Sequence, residues 1–389
     1  MTLEAPKKKI ALLHYNCPPM IGGVENVIQE QCKLLLNNNY DIKVLAGRGD
    51  SFLPKVDVRI NPDIALQNSV KDFDKLKSRI KKWLGKELEG VHACIAHNVF
   101  SMPFNLPLTE ALHELAGKIP TKFIAYTHDL ALIDESYKIE KGTRTYELLS
   151  RYNKSVTYTA ISLFRKRALA QLQGIDENEI LVINNGVNLP EFMNFHEGTI
   201  NLINKYDLRN CFVVLCPVRV MPRKNLKLAV RITAEISKTS KAKLLITGPT
   251  DPYREEARKY LEDLKQLISE LGLEGNVIFL YEEIDMSMLR DLYIISDILL
   301  LTSESEGFGL PVLEAGICKL PVFITDIDVF KELFGYGAYY FNLKDEPSDI
   351  AEMILSVTNN ARQISLFKRV LRKYDWQMVY EGRLKKLLS

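Results

Sequence analysis

The stretch that decides the fold runs Glu304-Ser-Glu-Gly-Phe-Gly-Leu-Pro-Val-Leu-Glu-Ala-Gly316. It follows the segment Asp297–Thr302, which is apolar after its first residue and has the length of a buried strand. Pro311 suits the first turn of a helix, where its missing N–H costs no hydrogen bond. The predicted order is therefore a strand, a glycine turn and a helix N-terminus, which directs free backbone N–H groups and the positive end of the helix dipole towards an anion.

Two acidic residues flank this turn. Glu306 precedes it and Glu314 lies about one turn inside the predicted helix, with seven residues between them. A carboxylate accepts hydrogen bonds from hydroxyl groups. Two carboxylates around a turn that suits a phosphate predict a ligand with both phosphate and hydroxyls, such as a nucleotide sugar. The alternative is an ordinary strand–turn–helix with solvated acids.

The stretch resembles the E-x7-E signature of the retaining family 4 glycosyltransferases, which have the GT-B fold. That fold is α/β, with two doubly wound Rossmann-like αβα domains facing across a cleft. The resemblance implies that Glu306 contacts the donor sugar and acts in catalysis, and that Glu314 contacts the nucleotide ribose. It also implies donor contacts from the turn itself, through Gly307, Phe308, Gly309 and Leu310.

The composition is that of a globular protein. The chain has 389 residues, of which 47% are apolar and 26% are charged, and this length suggests two or three domains. The net charge of +2 does not argue for nucleic acid. The six cysteines form no C-x-x-C pair, which favours buried thiols in a reducing compartment. Because the sequence shows neither an apolar signal core nor a membrane-length apolar run, a cytoplasmic enzyme is expected.

Short apolar runs alternate with helical patterns along the chain, which predicts doubly wound parallel sheets. Turn formers interrupt the pattern at 184–190 before it begins again. We therefore predict an N-terminal acceptor-side domain (1–187), a C-terminal nucleotide-sugar-binding domain (188–365) and a helix that crosses back to the first domain (366–389). The predicted strands are 9–14, 41–46, 93–96, 122–127, 155–161, 180–183, 212–217, 243–247, 276–280, 298–302, 321–325 and 338–341.

Gly22 and Gly23 follow the first strand and begin the first helix. A glycine pair lets a ligand approach the backbone closely. The sequence is not G-x-G-x-x-G, so a dinucleotide fingerprint is missing and a dehydrogenase is disfavoured. The family resemblance implies that this pair faces the donor diphosphate or sugar, whereas the alternative is a turn needed only for chain geometry. Glu25 is interpreted as a stabiliser of the helix N-terminus.

His128 follows the predicted strand 122–127, at the edge where open α/β sheets bind ligands. The resemblance places a histidine here close to the transferred sugar, which implies a donor-sugar or catalytic role. Asp129 is predicted to orient it or to line the acceptor site. His97 and Asn98 end the preceding strand and, like His14, either line the same cleft or serve local structure.

Arg219 and Lys224 lie five positions apart in a loop that follows the first strand of the second domain. Both can converge on a diphosphate, the arginine as a fork and the lysine as a point charge. The resemblance implies that they stabilise the leaving diphosphate. Asn225 stands where the family usually has glycine, and Arg223 adds a further charge; the alternative is a solvated basic turn.

Three further predictions concern the second domain. Gly248 follows a strand and is expected near the phosphates or sugar of the donor. The resemblance places the nucleotide base against main-chain groups of Glu283 or Ile284. Asp326 and Asp328 spell D-x-D, but we interpret Asp328 as a helix N-cap and predict no metal site.

The segment 71–86 combines several lysines with apolar residues at helical spacing. Such a helix packs its apolar face on the domain and solvates its lysines, or it lies on an anionic membrane surface. Packing is the favoured interpretation. The membrane alternative implies a peripheral protein at the inner membrane surface with a lipid-linked acceptor.

These observations predict a retaining glycosyltransferase that moves a hexosyl group from a nucleotide-diphosphate sugar to a hydroxyl acceptor, namely a sugar, a glycolipid or a small polar molecule. No cofactor is expected beyond the donor itself. The alternatives are a nucleotide-sugar epimerase of the same fold and a noncatalytic nucleotide-sugar-binding protein. The base, the sugar, the acceptor and the oligomeric state are not encoded in any motif that we recognise.

Overall fold

The computed structural model describes residues 7–67, 70–250, 255–280 and 284–389. The chain divides into two compact units, one made of Met1–Asn188 with Lys373–Ser389 and the other of Leu189–Arg372. The chain returns from the second unit to the first after Arg372, whereas the predicted boundary was after residue 365. The reason is that Lys368 and Arg372 are tied to the second unit, through Asp297 and the Arg209 carbonyl respectively.

The first unit is built on a parallel sheet with the strand order β3-β2-β1-β4-β5-β6-β7 in the described residues. Its strands are β1 Lys9–Asn16, β2 Asp41–Arg48, β3 Val56–Ile60, β4 Ala93–His97, β5 Lys122–Thr127, β6 Val156–Ala160 and β7 Ile180–Val182. The helices between them are α1 Gly23–Asn37, α2 Phe73–Glu87, α3 Leu106–Leu115, α4 Arg144–Ser150 and α5 Leu163–Gln173.

Both faces of this sheet are covered, which explains why its strands read as continuous apolar runs. Ile10 and Leu12 of β1 pack into one core cluster with α1, whereas Ala11 and Leu13 pack into another with α2. The alternation follows the two-residue period of a strand.

The second unit has a parallel sheet with the order β10-β9-β8-β11-β12-β13. Its strands are β8 Phe212–Cys216, β9 Ala242–Ile246, β10 Val277–Phe279, β11 Ile298–Leu301, β12 Val322–Thr325 and β13 Tyr339–Phe341. Its helices are α6 Leu189–Met193, α7 Glu197–Lys205, α8 Leu226–Ser237, α9 Glu255–Glu270, α10 Met286–Ile295, α11 Leu310–Ile317, α12 Asp328–Phe334, α13 Pro347–Asn360 and α14 Arg362–Arg369. One core cluster spans this unit.

The C-terminal segment returns to the first unit as α15 Trp376–Val379 and α16 Lys385–Leu388, with wider π-helical turns at Val370–Tyr374 and Tyr380–Leu384. Trp376 is buried, as the sequence predicts for a packing residue. A Cβ added to Gly186 would lie 2.7 Å from its ring. A larger residue at 186 would therefore displace the tryptophan.

Some sequence predictions need correction. Strand β3 escapes prediction because it alternates apolar and charged residues at the edge of the sheet, where one side meets solvent. The N-cap assignment of Asp328 is wrong. Ile327 is the N-cap of α12, and Asp328 lies in the first turn, where its charge still favours the helix dipole.

The described residues show no helix that is both long and apolar enough to cross a bilayer. All six cysteines are free thiols, and five of them are buried, as predicted. The described residues also contain no group of three or more histidine, cysteine or acidic side chains arranged to hold a metal ion.

Candidate active site

The turn between β11 and α11 has the predicted order of strand, glycine turn and helix, with Pro311 in the first helical turn. Gly309 is the N-cap and has a φ of +97°, a left-handed conformation that favours glycine. A Cβ there would also lie 2.8 Å from the Phe330 ring. No side chain caps α11, so the Leu310 N–H is left for a ligand, whereas Pro311 has no N–H and that of Val312 donates to the Gly309 carbonyl over 2.9 Å.

Two of the predicted donor-binding glycines, Gly23 and Gly307, have room for a side chain. A Cβ added to Gly23 or to Gly307 would meet no described atom within 4 Å. Both positions therefore leave open space beside the backbone, which a phosphate or sugar needs in order to reach main-chain N–H groups. Phe308 and Leu310, the other predicted donor contacts in the turn, have exposed side chains.

Gly22 has a local explanation instead. It is the N-cap of α1, and a Cβ there would lie 2.1 Å from a carboxylate oxygen of Glu25. Glu25 lies in the first turn of α1, as predicted, and accepts a 3.3 Å hydrogen bond from Asn16. Its carboxylate therefore folds back over the helix start, where a negative charge is favoured.

Lys224 and Glu306 are brought together at the carboxyl ends of β8 and β11. Lys224 Nζ donates to Oε1 of Glu306, and each side chain is only 10% exposed. Ser303 Oγ donates to the same carboxylate oxygen over 2.7 Å. Arg223 Nη1 lies 3.5 Å from Oε2. The predicted sugar-contacting carboxylate is thus held on both oxygens by the protein itself.

The two loops that carry this pair are joined through backbone groups. The hydroxyl of Thr302 donates to the carbonyls of Lys224 (3.0 Å) and Asn225 (2.9 Å). The N–H of Glu304 donates to the Arg223 carbonyl over 2.8 Å. These bonds fix the position of Lys224 relative to Glu306, because each of them ends on a backbone carbonyl of the loop that carries Lys224.

Asn225 stands where the family usually has glycine, and its backbone conformation explains why asparagine is suitable there. It has a φ of +47° and is the N-cap of α8. Asparagine is one of the few non-glycine residues that adopt this left-handed conformation at low cost. The usual glycine and this asparagine therefore satisfy the same backbone requirement.

Arg219 is exposed, in the same loop as Lys224. Gly248 packs against its backbone, since a Cβ there would lie 2.4 Å from the Arg219 nitrogen. The structure thus gives Gly248 a packing reason in addition to the predicted donor contact. Ile284 is partly buried against the core of the second unit. Glu283, the other residue predicted near the base, lies outside the described residues.

Glu314 lies in α11 and accepts a hydrogen bond from the hydroxyl of Tyr293 in α10. Between the two helices is a groove of about 180 Å³. Its lining residues are Met286, Leu289, Arg290, Tyr293, Glu314, Ile317 and Cys318. Neither Tyr293 nor Ser303 is among the predicted site residues. Tyr293 is 21 positions from Glu314 and meets it only through the fold, whereas Ser303 is three positions from Glu306 and contacts it within the turn.

The first unit gathers histidines at the carboxyl ends of neighbouring strands. His14 Nδ1 donates to the His97 carbonyl over 2.8 Å, and His97 Nδ1 lies 3.0 Å from His128 Nε2. The second ring nitrogen of His128 is 3.3 Å from the Asn185 amide nitrogen. Both nitrogens of His128 are thus engaged, so a ligand hydroxyl that bonds to this ring has to replace Asn185.

Asn98 shapes the loop that carries His128. Its side-chain oxygen accepts from the N–H groups of His128 (2.8 Å) and Asp129 (3.0 Å), while its amide donates to the Asp129 carboxylate over 3.2 Å. Asp129 is partly exposed and lies 3.5 Å from Arg165. By contrast, the His97 side chain is completely buried, so it reaches any ligand only through His128.

Burial sets the charge of these rings. It lowers the pKa of His97 well below its ordinary value, with a further lowering from His128. Burial also lowers the pKa of His128 to about 3. It lowers the pKa of His14 as well, although the hydrogen bond to the His97 carbonyl and the charge of Glu25 oppose that shift. At neutral pH these histidines are therefore uncharged.

Acid should destabilise the first unit. His113, outside the histidine cluster, has a pKa lowered to about 4, chiefly by burial. The unfolded chain takes up a proton below about pH 6.5 whereas the folded chain does not, so stability is lost as the pH falls. We expect His113→Asn to reduce the slope of unfolding free energy against pH by about 1.4 kcal/mol per pH unit between about pH 6 and pH 4.5. Denaturant titrations at several pH values measure this slope.

His196→Gln is the matched control, because that histidine lies on the second unit and is partly exposed. Unfolding of the first unit should keep its wild-type pH dependence in this variant. A His113→Asn variant with the wild-type slope would contradict the neutral, buried state of this ring.

Comparisons with known proteins identify the family of this chain. The model of "Glycosyltransferase Family 4" matches residues 21–191, and that of "Glycosyl transferases group 1" matches residues 202–372. The O-antigen chain mannosyltransferase RfbU of Salmonella typhimurium is 28% identical over 284 residues, which cover 73% of this chain and 69% of the relative. Mannosylglucosylglycerate synthase of Petrotoga mobilis is 25% identical over 374 residues, covering 83% and 84%.

Among solved structures, a glycosyltransferase from Rickettsia africae has a TM-score of 0.39 and 21% identity, with 98% of each chain covered. The chain is a glycosyltransferase with the GT-B fold. It belongs to glycosyltransferase family 4, the family that the stretch Glu304–Gly316 resembles.

Proposed function

We propose that this enzyme transfers a hexosyl group from a nucleotide-diphosphate sugar to a hydroxyl acceptor with retention of the anomeric configuration. The observation that carries the proposal is the pairing of Lys224 with Glu306 beside the uncapped start of α11. A cation and a free N–H group suit a diphosphate, and a carboxylate suits the hydroxyls of a sugar.

In this proposal the second unit holds the donor. Lys224, Arg219 and the Leu310 N–H at the start of α11 offset the negative charge that grows on the leaving diphosphate. Glu306 accepts hydrogen bonds from donor-sugar hydroxyls, and Glu314 accepts from the ribose. Because Lys224 and Ser303 already hold Glu306, the carboxylate is oriented before the donor arrives.

The first unit supplies the acceptor side. His128 lies near the transferred sugar, positioned by Asn98 and His97, and Asp129 accepts a hydrogen bond from the acceptor hydroxyl. Since burial keeps His128 neutral, we assign it hydrogen bonding and not the donation of a proton from a charged ring. Retention itself rests on the family resemblance, and the anomeric configuration of the product, read by NMR, tests it.

The two curated relatives described above are named for mannosyl products, so GDP-mannose is the first donor to test. The panel should also contain UDP-glucose, UDP-galactose, UDP-N-acetylglucosamine and ADP-glucose, each with and without sugar acceptors. Release of nucleoside diphosphate that depends on acceptor supports transfer. Conversion of one sugar nucleotide into another supports an epimerase, and binding without turnover supports a noncatalytic role. The catalytic groups proposed here do not include a metal, so EDTA should leave turnover unchanged.

The amphipathic helix α2 packs onto the first unit. Leu76, Ile80 and Leu84 are buried. Several of its cations are paired with acids: Lys77 and Lys81 with Glu114, and Arg79 with Asp63. Lys81 and Lys77 lower the pKa of Glu114 to about 2. This pairing leaves less positive charge for a membrane and favours the packing interpretation.

We accordingly expect the protein not to float with vesicles of phosphatidylglycerol and phosphatidylcholine. The triple variant Lys75→Glu, Lys82→Glu and Lys86→Glu removes exposed charges of α2 and should behave like the wild type in the flotation gradient. Flotation of the wild type that the triple variant abolishes would instead support the membrane interpretation of α2.

A further inference from the structure

The groove between α10 and α11 contains two polar side chains that bind each other. Tyr293 donates its phenolic hydrogen to Oε2 of Glu314 at the side of the groove. Most of the remaining lining is apolar, with Leu289, Ile317 and Met286 among it. A short apolar groove with a carboxylate at one position suits a molecule that is flat and apolar at one end and carries hydroxyls at the other.

The tyrosine is the fixed member of this pair. Its side chain is buried in the core of the second unit, whereas Glu314 is only partly buried. A glutamate side chain has several rotatable bonds, and its ordering costs conformational entropy when a ligand binds. A hydrogen bond from a rigid phenol removes part of that freedom in advance.

We propose that Tyr293 is a positioning residue that holds Glu314 ready for the ribose, and that the adjoining groove takes the nucleoside of the donor. The proposal rests on the proposed function, in which Glu314 accepts from ribose hydroxyls. Tyr293 occupies Oε2, and the structure records no hydrogen bond to Oε1 from the described residues. Oε1 is therefore the oxygen that receives the ribose hydroxyl.

The phenol keeps its proton throughout the working pH range. Burial raises the pKa of Tyr293 far above its ordinary value, and the negative charge of Glu314 raises it further. The hydroxyl thus stays a donor, and a donor stabilises the ionised carboxylate that ribose recognition requires. Tyr293 does not contact the reacting atoms in this account, so its effect should appear in donor binding and not in the chemical step.

The test measures the affinity of the full-length protein for GDP, UDP and their 2′-deoxy and 3′-deoxy counterparts by calorimetry. Whichever of GDP and UDP binds more tightly should bind the wild type about 10- to 100-fold more tightly than its deoxy counterpart does. This ratio is the effect of one hydrogen bond to a charged group. Tyr293→Phe should reduce this preference several-fold by weakening ribonucleotide binding alone. Its affinity for the deoxy compound should equal that of the wild type, and Glu314→Gln should lose the preference.

Tyr340→Phe is the matched control. Tyr340 also belongs to the second unit, donates its hydroxyl to the Phe330 carbonyl over 3.1 Å and lies outside the groove lining. It should lose one hydrogen bond and keep the wild-type preference for ribose. This control separates a loss of stability from a loss of positioning.

Three results would contradict these proposals, and each of them contradicts a different claim. A wild-type protein that binds no nucleotide would overturn the proposed function itself. A wild-type preference that survives in Glu314→Gln would overturn the ribose role of Glu314. A preference that disappears in Glu314→Gln and stays at the wild-type value in Tyr293→Phe would overturn only the positioning role of Tyr293.

Discussion

Replacing Lys224 with methionine is expected to lower kcat/KM for the donor by about 100- to 1000-fold, the loss typical of removing one donor that stabilises charge in the transition state. The ammonium of Lys224 lies at the Glu306 carboxylate and is nearly excluded from solvent, so water substitutes for it poorly. The measurement is the release of nucleoside diphosphate from the donor that the panel identifies.

Lys227→Met is the matched control for this variant. Lys227 lies three residues further on, in the first turn of α8, and its ion pair with Asp263 is exposed on both sides. It should keep activity close to that of the wild type. A Lys224→Met enzyme with near-wild-type kcat/KM would contradict the proposed role of Lys224.

A loss of stability in Lys224→Met has to be separated from the loss of catalysis. Removing Lys224 leaves Glu306 with Ser303 and the more distant Arg223 as partners in a poorly solvated position. The double variant Lys224→Met, Glu306→Gln removes that uncompensated charge. We expect it to recover thermal stability without recovering turnover.

Replacing Lys368 with methionine is expected to lower the free energy of unfolding of the second unit by about 3–5 kcal/mol, the cost of removing one partner of a buried ion pair. Lys368 Nζ lies 2.9 Å from Asp297 Oδ2, and both side chains are buried. Asp297 also accepts a 2.7 Å hydrogen bond from the Val213 N–H, at the start of the central strand β8. Denaturant unfolding followed by fluorescence measures the change.

The pH dependence of this variant follows from the carboxylate. Burial raises the pKa of Asp297, and Lys368 opposes that shift. A buried carboxylate with a raised pKa costs stability once it is ionised, so the cost is present at neutral pH and disappears as the pH falls below that pKa. The destabilisation by Lys368→Met should therefore be largest near neutral pH and shrink in mild acid.

Lys331→Met is the control, because the Lys331–Asp326 pair has a lysine side chain that is 55% exposed. It should cost about 0–1 kcal/mol, the range for exposed ion pairs. The double variant Asp297→Asn, Lys368→Met leaves no buried charge and should recover part of the lost stability. Equal effects of Lys368→Met and Lys331→Met would contradict the importance of the buried pair.

Most of the strands and turns could be predicted from local sequence. Strand β5 has the predicted bounds, because its apolar run stands between residues that favour turns. The glycine turn before α11 was likewise readable from Gly309 and Pro311, whose backbone preferences are intrinsic to those residues. The edge strand β3 was not predicted, because the exposed, charged Asp57 and Arg59 alternate with its apolar residues.

Sequence by itself determined the residue types of the site and the turns that carry them, since backbone preference and apolar periodicity act over a few neighbouring residues. Which groups meet was decided by strand order. Placing β8 beside β11 brings Lys224 to Glu306, 82 positions away, and the neighbouring strands β1, β4 and β5 assemble the histidines. Tyr293 gains its role only through its packing beside Glu314, 21 positions away, because this hydrogen bond depends on a distance in space that no local pattern in the chain records.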